Sequence, residues 1–149
     1  AVEISAVGSC LVNPNLQEES GIPDVDTAVV TMKMANGAIA TINNSRQAVY
    51  GYDQRVEVFG SKGMAADQND LNSTATITTV DGAVSEKPKW FFLERYNDAF
   101  IEQIKYFIDS IVNDKPTVVG AFDGLRPVLM AAAATESCRN GGAWVKVAE

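Results

Sequence analysis

The chain has 149 residues, 46% of them hydrophobic and 21% charged, the balance of one ordinary globular domain. That balance excludes disorder, collagen and coiled coil. Twelve Lys and Arg against nineteen Asp and Glu give a net charge of −7, which argues against nucleic acid and against an anionic membrane surface as partners.

The elements follow in chain order. Val2, Ile4 and Ala6 alternate with Glu3 and Ser5, the period-2 pattern of a half-buried strand. Asn13-Pro14-Asn15 and Gly21-Ile22-Pro23-Asp24 mark a loop that carries Glu18 and Glu19. Alternation resumes over residues 27–35. Asn36-Gly37 then predicts a type I′ hairpin turn, which needs positive φ at both central residues, and the return strand runs from Ala38 to about Arg46. After Tyr50-Gly51-Tyr52 a strand runs over 54–59, a turn over Gly60-Ser61-Lys62-Gly63, and another strand from Met64 to Ala66. Residues 67–72 read as a polar loop. The β-branched stretch from Thr74 to Val80 reads as a strand, Asp81-Gly82 as a second hairpin turn, and Ala83 to Glu86 as its return.

The period then changes. Phe100, Ile104, Phe107, Ile108 and Ile111 recur at helical spacing and predict an amphipathic helix from about Tyr96 to Val112, capped by Asn97 or Asp98 and closed by Asn113 and Pro116. A second, Ala-rich helix is expected over 123–139. Asp123 would be its N-cap, Pro127 would lie in its first turn, and Gly141-Gly142 would end it. Trp144, Val145 and Val147 make a terminal strand. Strands followed by helices predict an α+β fold: a mostly antiparallel open sheet with two main helices packed on one face. The other face is expected to be apolar and to bury itself against a second copy, making a homo-oligomer.

Few residues carry obvious chemistry. The absence of histidine removes the commonest general base and the His-containing metal sites. Cys10 and Cys138 lie at opposite ends of the chain, which reads as two reduced, buried thiols and not as a metal site. No apolar run is long enough to span a membrane, and the N-terminus lacks the basic and apolar regions of a signal peptide, so the cytoplasm is expected. The chain opens mid-strand at Ala1, as a domain cut from something longer would. Gly60 and Gly63 sit between two strands, the wrong context for a dinucleotide cradle. Glu86-Lys87-Pro88 follows a hairpin in a polar stretch and reads as solvent-exposed. The loop carboxylates Asp24, Asp26, Asp67, Asp70, Asp81 and Asp123 read as turn-formers.

The segment Asn43 to Arg55 is different. It is polar and aromatic and joins two apolar strands. Its hydroxyls, amides and Arg forks are groups that hydrogen-bond a polyol, and they equally suit the rim of a sheet with an Arg–Asp surface pair.

The run Ser45 to Met64, with Tyr50-Gly51-Tyr52-Asp53-Gln54-Arg55 at its centre, resembles the C-terminal domain of the glucose-fructose oxidoreductase / inositol dehydrogenase / MocA family. Asp24 to Ala28, Asn36-Gly37, the helix end from Phe107 to Pro116, Asp123-Gly124-Leu125 and Ser137 to Gly141 also fit. Glu57 to Gly63 supports the fold only, while Tyr50 to Arg55 points to the inositol branch. The resemblance implies that residues 1–149 are a substrate and oligomerisation domain, with a Rossmann domain that holds NAD lying upstream. It implies oxidation of myo-inositol to its 2-keto product by hydride transfer to NAD, and a fragment that is inactive alone. The catalytic Lys, Asp and His of the family lie outside this segment, so no catalytic residue is assigned here and Lys87 does not take that role. Tyr52 matches the family's substrate-contacting Tyr. Tyr50, Asp53 and Arg46 would position the substrate or shape the pocket wall, and Cys138 and Trp144 would pack. The alternatives are a stand-alone sugar-binding or assembly module, and a sibling dehydrogenase acting on another sugar or a bile-pigment-like substrate.

Overall fold

The computed structural model describes residues 1–148. In chain order the elements are β1 (Glu3–Ser9), α1 (Leu16–Ser20), β2 (Thr27–Lys33), β3 (Ile39–Ser45), β4 (Val56–Gly60), β5 (Gly63–Asp67), β6 (Thr76–Thr79), β7 (Gly82–Ser85), α2 (Phe92–Arg95), α3 (Asn97–Val112), α4 (Ala121–Arg139) and β8 (Val145–Lys146). They fall into two compact units. One holds residues 1–47 and the chain from Val118 on; the other holds residues 48–117.

The first unit is a four-stranded antiparallel sheet in the order β3-β2-β1-β8. Alternation puts Ile4 and Ala6 of β1 on one face, opposite Met32 and Val30 of β2. That face takes α4. Ile4, Met32 and Ala133 form the buried core, with Met130 and Ala134 of α4 packed against it. The opposite face is mixed and not apolar as expected. Its rows are Glu3, Lys33 and Ile39; Ser5, Thr31 and Thr41; and Val7, Val29 and Asn43.

Two side chains hold the edges of this unit. Asp26, buried at the entry to β2, accepts the amides of Leu11, Val12 and Asn13 and the Thr27 hydroxyl. Burial alone would raise its pKa, but the Asn13 and Leu11 amides, with Thr27 and Val12, outweigh it and hold the carboxyl below its usual range. Ser137 of α4 accepts the Ala6 amide at 2.9 Å and donates to the Ala143 carbonyl at 2.5 Å.

The second unit contains the hairpins β4-β5 and β6-β7, followed by α2 and α3. The antiparallel strands expected from the sequence are divided into one four-stranded sheet and two hairpins, and α4 packs on β1 of the larger sheet. Four local expectations need correction. The β2-β3 turn is not type I′. Only Gly37 has positive φ, at +86°, and its amide donates to the Met34 carbonyl, so the loop is longer and closes with a left-handed glycine. The β6-β7 turn falls on Val80 and Asp81, because Thr79 pairs with Gly82. Tyr96, without a side-chain bond, occupies the N-cap of α3 in place of Asn97 or Asp98. Helix α4 starts at Ala121, ahead of the expected cap. Asp123 instead reaches back from the first turn to accept the Gly120 amide at 2.9 Å, and Pro127 is left in the second turn. Cys10 and Cys138 are free thiols, half-buried and not fully buried.

Candidate functional site

The polar–aromatic segment turns sharply at Gly51, where φ is +143°. Gly51 is buried, and the amide of the next residue, Tyr52, donates to the Lys89 carbonyl at 2.8 Å. The Gln54 amide donates to Asn69 Oδ1 at 2.8 Å. Both anchors belong to one local frame, because the Lys89 amide donates to the Asp70 carbonyl and Leu71 bridges to Pro88. The loop is therefore fastened at two points to chain that lies well downstream.

Asp53 is the centre of this loop. Its Oδ1 accepts Arg55 Nε at 2.8 Å and Asn69 Nδ2 at 2.7 Å. Its Oδ2 accepts Arg55 Nη2 at 3.0 Å and the Tyr50 hydroxyl. Arg55 first, then Tyr50 and Asn69, pull the Asp53 carboxyl down to about 2. The same bond to Asp53 holds the Tyr50 phenol above its usual range.

Tyr52 lies in an aromatic cluster. Its ring meets the Tyr96 ring edge-on, with centroids 5.8 Å apart and planes at 90°, and it tilts against Phe92 at 6.5 Å. Phe92 in turn contacts Phe91 and Phe100. Burial raises the Tyr96 phenol, and the nearby Tyr52 adds to that shift. Beside the cluster a cavity of about 330 Å³ is lined by Asp70, Lys89, Glu94, Arg95, Tyr96 and Asn97. Lys89 pairs with Asp70 at 2.6 Å, and Arg95 with Asp67 at 3.3 Å. Arg95 Nε is buried there without a partner.

The structure thus brings Tyr50 and Asp53 into contact and sets Tyr52 in a cage of rings. Arg46 belongs to the other unit. It follows β3 directly, its amide donates to the Asp26 carbonyl at 2.8 Å, and its side chain is exposed. Asn69, Phe92 and Tyr96 were not singled out from the sequence. Asn69 looked like loop filler, and Tyr96 looked like the first residue of a helix. Glu86 and Lys87 are exposed beyond β7, as expected.

A dinucleotide does not fit the residues present. Its cradle needs a glycine-rich turn that leads from a parallel strand into a helix, whereas every strand pair among the described residues is antiparallel. Among the described residues no group of three or more His, Cys, Asp or Glu side chains could hold a metal ion, and no helix is long and apolar enough to cross a membrane.

Fold and site define an α+β domain of antiparallel strands with a polar–aromatic loop and no dinucleotide cradle. The chain belongs to the GFO/IDH/MocA oxidoreductase family, as its C-terminal alpha/beta domain, with residues 5–147 matched. It is 48% identical over 93% of its length to the uncharacterized oxidoreductase YrbE of Bacillus subtilis. It is 42% identical over 91% of its length to the myo-inositol 2-dehydrogenase of Thermotoga maritima. In each case it spans 40% of the relative's length. Among solved structures, a myo-inositol dehydrogenase from Corynebacterium glutamicum superposes with a TM-score of 0.89 at 32% identity, covering 99% of this chain and 44% of that one. The scyllo-inositol dehydrogenase of Lactobacillus casei, solved with NAD(H) and scyllo-inositol, superposes with a TM-score of 0.85 at 27% identity, covering 99% and 42%.

Proposed function

We propose that this chain is the substrate-facing and assembly domain of an NAD-dependent inositol 2-dehydrogenase. The reaction is the two-electron oxidation of one ring carbinol of myo-inositol to a ketone, with NAD as acceptor. The dinucleotide and the catalytic acid–base groups would be held by sequence outside this chain, so the chain alone is inactive. The observation that supports this most is the 42% identity to a myo-inositol 2-dehydrogenase along 91% of the chain, polar–aromatic loop included.

In this reading Tyr52 and Tyr50 hydrogen-bond ring hydroxyls, while Asp53 organises the loop that carries the two tyrosines. Such a polar wall discriminates among polyols because a bound ring that lacks a hydroxyl leaves a wall group desolvated and unpaired. The reading also places the enzyme in the cytoplasm, as a homotetramer assembled through this domain.

The test is spectrophotometric. The protein expressed from its complete reading frame is assayed for NADH formation with myo-inositol, other inositol isomers and hexoses. Turnover of inositols above hexoses supports the reading. No turnover of any inositol with NAD or NADP defeats it, and turnover of another sugar moves the protein to a sibling activity. Micromolar binding of myo-inositol by residues 1–149 alone would favour a binding module instead.

A further inference from the structure

The carboxylate of Asp53 has no capacity left for a ligand. A carboxylate offers about four lone-pair sites, and Asp53 fills two on each oxygen with Arg55, Asn69 and Tyr50. Its side chain is 14% exposed, whereas Tyr50 is 45% exposed. Of the two, the tyrosine faces solvent and the aspartate does not.

A phenol has one proton to donate, and that of Tyr50 is committed to Asp53 Oδ2. The exposed phenol oxygen then keeps acceptor capacity only. We propose that Asp53 is a positioning residue that converts Tyr50 into an acceptor-only recognition group, selecting a ligand hydroxyl that donates. The Asp53 carboxylate and the Arg55 guanidinium, 2.8 Å apart, offset each other's charge beside the phenol. On the polyol reading the donating group is a neutral ring hydroxyl. An ether or a fluorine at the same place meets an acceptor with an acceptor and is rejected. The inference depends on the polyol reading for its ligand, but the Asp53–Tyr50 relationship stands independently of it.

Two measurements test the proposal and separate it from that reading. In the protein labelled with 13C at the tyrosine rings, Tyr50 is assigned by the signal lost in Tyr50→Phe and then titrated. It should ionise at higher pH than free tyrosine, and Asp53→Asn should bring it back down. Ionisation at the same pH in both proteins overturns the proposal. In the protein at its natural length, mono-O-methyl ethers of myo-inositol are compared with the parent. Wild type should discriminate against at least one ether by roughly tenfold in kcat/KM, and Tyr50→Phe should lose that discrimination. Equal discrimination in both overturns the proposal, and this arm does not require Asp53→Asn to fold. If wild type oxidises no inositol, the polyol reading fails, and the ring titration still decides the role of Asp53.

Discussion

A Cβ on Gly51 would lie 2.7 Å from the carbonyl oxygen of Pro88. No side chain is tolerated at that distance, and the backbone of Gly51, at φ +143°, is in a region that L-residues rarely adopt. The two tyrosines of the site flank this glycine. Gly51→Ala should cost about 1–3 kcal/mol through backbone strain and the forced retreat of Pro88. Urea denaturation measures it. An unchanged midpoint would mean that the loop relaxes freely around the new methyl and that the contact has no structural weight.

The ring of Tyr52 and its hydroxyl do different jobs. The ring packs against Tyr96 and Phe92; the hydroxyl is the part proposed to meet substrate. Tyr52→Phe should therefore keep stability within about 0.5 kcal/mol, since the edge-on contact survives. It should lower kcat/KM for inositol by about 1–2 kcal/mol in the full-length protein. Tyr52→Ala should lose both. A Tyr52→Phe enzyme with wild-type kcat/KM would remove the hydroxyl from the site.

The first unit was largely legible because its signals are local and periodic. Ile4 and Ala6 alternate as a strand must; in the second unit the same kind of signal marked α3, where Phe100, Ile104 and Phe107 repeat as a helix must. Helices α1 and α2 were missed because a stretch as short as Leu16–Ser20 or Phe92–Arg95 is too brief for a helical period to register. Turn details failed where one residue decides between alternatives. Asn36-Gly37 allows a type I′ turn, but Asn36 has an ordinary negative φ and only the glycine goes left-handed. The site was half legible. Tyr50, Asp53 and Arg55 are close neighbours in sequence, so their clustering follows from spacing. Asn69 is 16 positions from Asp53, and Tyr96 reaches Tyr52 only through the fold of the second unit. No local pattern announces either partner.

Strand β8 pairs with β1 only at Glu3 and Ile4. Beyond that point the Ala6 amide would be an unpaired strand edge inside the unit, and the fully buried Ser137 hydroxyl fills the gap between it and Ala143. Ser137→Ala leaves the buried Ala6 amide without a partner, at a cost of about 1–3 kcal/mol. The urea midpoint should fall, with protection of the Ala6 amide against hydrogen exchange falling with it. A midpoint equal to wild type would mean that water replaces the hydroxyl at no cost.

Asp53 also makes stability depend on pH. Its carboxyl ionises near 2 in the folded chain, against an ordinary value of 3.8. A depressed folded value means that the unfolded chain binds the proton first as the pH drops. The stabilisation from the Arg55, Tyr50 and Asn69 bonds is therefore complete above about pH 4 and is lost as the pH falls through about 2. Asp26, Asp70 and Asp109 are shifted the same way and supply a shared background. The difference between wild type and Asp53→Asn cancels that background. Urea midpoints of the two proteins should differ by a constant amount from neutral pH down to about 5, and the gap should close on further acidification. A gap that persists undiminished at about pH 2 would mean that Asp53 holds its partners without its charge.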